Sequence, residues 1–303
     1  MSVDRLIEAI EAKKNPTVLG LDPQPEHIPP AVMEKYVAER GRTLDALCGA
    51  YEEYVTALTD ALHDAVPAVK LQSACFEALG PGGMEVLQRG VRFARERGLY
   101  VIIDAKRGDI GSTAKAYSAA FLGRVALGET LLPVFDADAV TVNPYLGSDN
   151  LVPFLKDCEA YDKMIFVLCK TSNRSSADVQ ELMAGDRPLY RVVAEQVSRT
   201  GRHLAGRYGY LNAAIVAGAT MPAAIRQLRQ NHPELFFLMP GYGTQGGRGV
   251  DVAYAFDRQG RGAVVNNSRG ICCAWQKDPS AAYTDAAREA ALAMRDDLRK
   301  AIL

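Results

Sequence analysis

The sequence predicts an α/β chain closed into one (β/α)8 barrel, a single domain over residues 1–303, and three observations predict it. Short apolar runs of strand length recur along the whole chain. Longer amphipathic or alanine-rich stretches separate them. Polar residues gather at the C-terminal ends of the runs. Strands alternating with helices imply parallel pairing, because each crossover needs room for a helix. Strands apolar on both faces imply a sheet covered on both sides. Eight such units fit a closed barrel better than an open doubly wound sheet, which has two edges to hide.

The strand runs are 17–22, 68–72, 100–106, 139–145, 164–170, 213–219, 236–241 and 262–268. Helical patterns fall at 44–65, 83–97, 112–127 and 189–208, and the 280s and 290s read as a closing helix. Residues 23–42 are too many for an ordinary βα connection and predict an excursion with a helix of its own. The polar stretch 174–188 predicts a surface loop.

Composition excludes several classes. Lys+Arg number 35 against Asp+Glu 36, which leaves no basic footprint for nucleic acid or an anionic membrane. Asp4, Glu8 and Glu11 interrupt the N-terminal apolar residues, so no signal peptide is expected. No segment is apolar for long enough to span a bilayer. Six cysteines without a C-x-x-C pair read as reduced thiols of a cytosolic protein. The four histidines have no ligand spacing with carboxylates or cysteines, so no metal site and no Ser/His/Asp or Cys/His arrangement is expected.

In a parallel barrel the chemistry sits at the C-terminal rim. Seven of the eight runs end in polar residues there, among them Asp22, Lys70-Leu71-Gln72, Asp104-Ala105-Lys106 and Ser268-Arg269. Residues two apart share a strand face, so Asp104 and Lys106 point the same way, as do Lys70 and Gln72, with Ile102 lower on the Asp104 face as barrel core. Lysines and aspartates on one rim are tolerable only as a network of compensating charges. Plainer readings stand beside this one: a salt bridge at a strand end for Asp104 and Lys106, and a turn cap ahead of Pro23 for Asp22. The segment after Pro240, with Gly241, Gly243, Gly246 and Gly247, lets backbone N–H groups approach an anion, and Arg269 supplies a cationic fork at the neighbouring strand end. The plainer reading there is a flexible connection beside a surface arginine.

The run Asp104-Ala105-Lys106-Arg107-Gly108-Asp109-Ile110 with Thr113 resembles the D-x-K-x-x-D-I-x-x-T signature of the orotidine 5′-phosphate decarboxylase family. Leu21-Asp22, Val69-Lys70, Thr171-Ser172, Pro240-Gly241, Gln245 and Ser268-Arg269 follow in that family's order. Thr141-Val142-Asn143-Pro144-Tyr145 and the chain length are similar to its longer bacterial subgroup. The resemblance implies cofactor-free conversion of orotidine 5′-phosphate to UMP and CO₂. It implies Asp104 against the substrate carboxylate, Lys106 as proton donor to C6, and Lys70 and Asp22 at the ribose. Asp109 would act across a homodimer interface in the partner's site, with Ile110 and Thr113 reaching toward the base. Ser172 would meet the pyrimidine beside Pro240, and Gln245, Arg269 and Gly270 would hold the phosphate. The segment Asn266-Asn267-Ser268-Arg269-Gly270 departs from the compact members, which place Gly before this Arg.

Three other functions compete. A Schiff-base aldolase would use Lys106 or Lys170, but it requires a neutral amine, and aspartates beside Lys106 work against that. A sugar-phosphate decarboxylase or epimerase would share Asp-x-Lys but work with a metal. A non-catalytic nucleotide binder would keep the charge network without turnover.

Overall fold

The structure is a computed structural model and describes residues 1–302. Eight parallel strands close a barrel, and each pairs with its neighbours in sequence, the last with the first. They are β1 (Thr17–Leu21), β2 (Ala68–Gln72), β3 (Tyr100–Arg107), β4 (Ala139–Val142), β5 (Met164–Lys170), β6 (Ala213–Ala217), β7 (Phe237–Met239) and β8 (Ala263–Asn267). All eight fall within or against the apolar runs of the sequence.

Alternation along the strands builds two apolar layers. Val18, Ala68, Ile102, Phe166, Val216 and Val264 point into the barrel. The opposite faces, with Leu19, Val69, Ile103, Val167 and Val265, pack against the surrounding helices. The N-terminal helix Ser2–Lys13 closes the bottom of the barrel, placing Val3, Leu6, Ile7 and Ile10 in the interior layer. Leu6 and Ile7 are essentially fully buried, each worth about 1.5–3 kcal/mol of transfer free energy. With the bottom plugged, the open end is the C-terminal rim.

The excursion after β1 contains a 3-10 turn at Pro25–His27 and the helix Pro30–Arg40, as its length predicts. Two predicted elements differ. The helix expected over 112–127 runs only Gly111–Phe121, and a β-hairpin follows, Val125–Leu127 against Thr130–Leu132. Apolar residues at helical spacing (Phe121, Val125) hid it. Its signal is Gly128, which opens the two-residue loop with φ +61, as a tight hairpin turn requires. The helix expected to reach 208 ends at Gly201, with a 3-10 turn Arg202–Leu204 behind it. The polar stretch 174–188 is more structured than a plain loop: it holds the short helix Ala177–Gln180 and a two-stranded ribbon.

Candidate active site

The site begins with an irregularity in β3. Ile103 pairs with Val140 of β4, and the next pair is Arg107 with Val142, so Asp104, Ala105 and Lys106 bulge out of register. Lys106 has φ +49, a left-handed conformation that costs a residue with a Cβ roughly 1–2 kcal/mol. The backbone N–H of Lys106 donates to the Thr141 hydroxyl at 2.9 Å, a side chain standing in for a ladder carbonyl.

The bulge puts Asp104 at the centre of an alternating charge chain. Its Oδ1 accepts from Lys106 Nζ at 2.5 Å and from the Thr141 hydroxyl at 2.8 Å. Its Oδ2 faces Lys70 Nζ at 3.0 Å and accepts from Gln72 Nε2 at 3.3 Å. Lys70 also reaches Asp22 Oδ1 at 3.3 Å. The order Asp22–Lys70–Asp104–Lys106 therefore alternates in sign across β1, β2 and β3. Lys70 is 3 % exposed and Asp104 8 %. Burial opposes both charges, but Lys70 and then Lys106 hold the Asp104 carboxyl well below the usual carboxylate range. Burial alone would lower the Lys70 ammonium; Asp104 and Asp22 raise it instead. Lys106 is the outer member, with a side chain 45 % exposed toward the open rim.

Gly20 lets β1 and β8 come together beside Asp22. A Cβ there would lie 2.0 Å from Ser268 Oγ and 2.8 Å from Asn266 Oδ1. On the opposite side, Gln180 accepts from the Thr171 backbone N–H at 2.9 Å and donates to the Thr171 hydroxyl at 2.7 Å, pinning the turn that carries Ser172. The backbones of Gly218 and Gly241 pack against that turn so closely that a Cβ at Gly218 would lie 2.7 Å from Ser172 N.

These elements enclose a cavity of about 480 Å³. Asp22, Lys70, Asp104, Lys106, Ser172 and Pro240 line it, as do Gln245 and Arg269 from the segments after β7 and β8. A larger open groove of about 1180 Å³ adjoins it past Arg269, toward His27 and Lys277. The charge chain lies in the smaller cavity. Among the described residues the Arg269 guanidinium makes no ion pair.

A family model described as "Orotidine 5'-phosphate decarboxylase / HUMPS family" matches residues 16–286. The chain belongs to that family. An orotidine 5′-phosphate decarboxylase from Caldicellulosiruptor bescii is 41% identical over 273 residues, 90% of each chain. The solved structure of Leishmania donovani OMP decarboxylase is 32% identical with a TM-score of 0.73, covering 99% of this chain and 98% of that one. That of Leishmania donovani UMP synthase is 34% identical with a TM-score of 0.74; this chain spans 56% of its length.

The family's signature is divided by the fold. Asp104 and Lys106 enter the cavity of their own barrel. Asp109, Ile110 and Thr113 do not line it. Asp109 sits past the strand, its backbone N–H donating to Asn150 Oδ1 at 2.9 Å, and its carboxylate accepts from the Ile110 N–H at 2.8 Å. Gly270 also lies outside the cavity, in the adjoining groove, and its N–H donates to Asn267 Oδ1 at 3.0 Å. The glycine loop is braced from the C-terminal helix: Asp297 accepts from the Tyr242 hydroxyl at 2.6 Å and from Gly249 N–H at 3.1 Å. Gln180 and Asp297 were not singled out by the sequence, and Thr141 entered only within the run 141–145, with no role at the site. Gln72 shared a predicted face with Lys70, the one available signal for it.

Lys170 at the end of β5 pairs with Glu181 at 2.9 Å and donates to Ser176 at 3.1 Å, so it is committed to an ion pair instead of standing free as an amine nucleophile. Among the described residues no group of three or more His, Cys, Asp or Glu side chains is arranged to hold a metal ion. No helix among them is long and apolar enough to cross a membrane. All six cysteines are free, four of them buried.

Proposed function

We propose that the chain decarboxylates orotidine 5′-phosphate to UMP and CO₂ without a cofactor, and that Lys106 delivers the proton that replaces CO₂ at C6. The observation that carries this reading is the chain Asp22–Lys70–Asp104–Lys106 lining one cavity together with an arginine, Arg269, that makes no ion pair among the described residues. When the C6–carboxylate bond breaks, the electron pair stays on C6, which has no conjugated sink. The stabilisation must then come from charges fixed in advance. An ammonium at the Lys106 position stabilises the developing carbanion and then transfers its proton to it. Asp104, held ionised, lies against the substrate carboxylate and repels it until CO₂ departs. Lys70 and Asp22 hold the ribose hydroxyls, Ser172 and Pro240 the pyrimidine, and Arg269 with Gln245 and Gly270 the phosphate.

The working unit is a homodimer in this reading. Within one chain the charge sequence ends at Lys106, and Asp109 stands beyond the strand with no lysine or arginine partner among the described residues. Exposed Ile110, Leu127, Leu131 and Tyr145 lie on the segments that follow β3 and β4. A second copy would cover that apolar surface and bring its Asp109 to Lys106, with Ile110 and Thr113 beside the base. The free thiols suit a reducing cytosol, where we place the protein. The barrel with its excursion at 23–42 is one domain in the same reading.

An ultraviolet assay of orotidine 5′-phosphate loss, run in the presence of a strong chelator, tests the reaction. Wild type turns over; Lys106→Ala loses about 10⁴-fold or more in kcat while still binding UMP. A wild type inert toward this substrate would sink the proposal, and activity abolished by the chelator would transfer it to a metal-dependent decarboxylase. Mixing Asp109→Ala with Lys106→Ala chains tests the shared site. Random reassortment restores about one quarter of wild-type activity, because one site of each heterodimer is intact. No recovery despite verified exchange of subunits would confine each site to one chain.

A further inference from the structure

We propose that Thr141 is the positioning residue of this site: one hydroxyl that fixes both the Asp104 carboxylate and the backbone of Lys106. The proposal deepens the functional reading above and rests on it for its kinetic test. Asp104 receives four donors, two on each oxygen. Three of them are the ends of long side chains, Lys70, Gln72 and Lys106. The fourth, Thr141, is short and β-branched, with a stiff χ1, and is 1 % exposed. It is the donor that cannot follow the carboxylate if the carboxylate moves.

A hydroxyl has one hydrogen. Thr141 donates its hydrogen to Asp104 Oδ1 at 2.8 Å, so its oxygen is left as an acceptor, and the Lys106 N–H fills that role at 2.9 Å. The two bonds fix each other's direction. They also tie together the two residues whose separation matters. Lys106 is in the left-handed region at φ +49, out of register with β4, and the Thr141 oxygen is the acceptor that its turned N–H finds. Without that oxygen the N–H has no partner, and the backbone gains by returning to a strand conformation. That return swings Nζ away from Asp104. A neutral hydroxyl does this without adding charge, so the chain keeps its two carboxylates and two ammonium groups in balance.

Thr141→Val keeps the shape and removes the hydroxyl; Thr141→Ser keeps the hydroxyl and removes a methyl. We expect Thr141→Val to lower kcat about 10²-fold, the loss typical of a misplaced reacting group, with KM and UMP affinity within about threefold of wild type. Thr141→Ser retains kcat within about threefold. A crystal structure of Thr141→Val gives a readout independent of activity: Lys106 leaves positive φ and its Nζ separates from Asp104. Undiminished kcat in Thr141→Val, an equal loss in the serine variant, or a loss carried by KM would each overturn the proposal. So would a valine structure that keeps the Lys106 backbone and the Lys106–Asp104 contact. Failure of both Thr141→Val and Thr141→Ala to fold, judged by absence of UMP protection against heat, would make Thr141 a packing residue and overturn it as well. A wild type inactive on orotidine 5′-phosphate would defeat the functional reading alone, and the crystal structure would still decide Thr141.

Discussion

At one end of the cavity the charged groups are satisfied by one another; at the other they wait. Asp104 has four donors, and Lys70 has two carboxylates within 3.3 Å. Arg269 has no carboxylate partner among the described residues, and Gln245 stands exposed on a loop of glycines with positive φ. The first end is organised before any ligand arrives, and this is what electrostatic catalysis asks of it, because no reorganisation is then required at the moment of reaction. In the proposed function the second end is open and gains its partner when the substrate phosphate binds. On that reading, binding energy at this end is realised on association, remote from C6.

The comparison breaks most visibly at Asp104. In Asp104→Asn, Lys70 keeps only Asp22, at 3.3 Å, and remains buried. Removing one partner of a buried ion pair costs about 3–5 kcal/mol, and urea unfolding at pH 7 measures it. Turnover is lost with it. If Asp104→Asn were as stable as wild type, the inner end would not be held together by its charges. Arg269→Ala is the counterpart at the outer end. Its unfolding free energy stays within about 0.5 kcal/mol of wild type, as for an ordinary surface substitution. Its kcat/KM for orotidine 5′-phosphate and its affinity for UMP both fall by about ten- to a hundredfold, the loss of a charge-assisted bond worth roughly 1.5–3 kcal/mol. A destabilised Arg269→Ala, or one with unchanged UMP affinity, would erase the distinction between the two ends.

The two ends also differ in how they could be read. Short apolar runs of strand length made all eight strands legible, and the polar strand ends marked the rim. Asp104 and Lys106 lie on one side, as a period of two requires, yet the reason is not a regular strand. They share a bulge whose register against β4 no single-strand pattern contains. The role of Thr141 was hidden for the same cause: its run resembled the subgroup, but in sequence it is one more β-branched residue, and only the partner strand's bulge gives its hydroxyl work. At the outer end Arg269 and the glycines were legible as types. Their support was not, since Asp297 reaches the loop from a helix about fifty residues further along the chain. The hairpin at 125–132 was masked by apolar spacing that suits a helix equally well.

Acid sharpens the comparison by the smallest effect. The Asp104 carboxyl is depressed in the folded chain by Lys70 and Lys106, against the opposing effect of burial. A depressed carboxyl contributes stability that is fully present above its unfolded value, about pH 4, and is lost as pH falls toward the folded value. Wild type should therefore lose stability below pH 4, and Asp104 should contribute up to about 1.4 kcal/mol per pH unit to that slope. Part of the slope has another origin. Asp136 is drawn down to about 2 against burial by Lys163 and then Arg95, and Asp64 to about 2 by its hydrogen bonds with Arg288. Those two persist in every variant considered. Urea unfolding between pH 5 and pH 3 should then show Arg269→Ala following the wild-type slope and Asp104→Asn following a shallower one. Lys70 works in the opposite direction: its raised value contributes stability that is whole below about pH 10.4 and is lost only above it, so it leaves the acid slope untouched. Parallel acid slopes for wild type and Asp104→Asn would mean that the inner end owes its order to packing and not to the charges on Asp104.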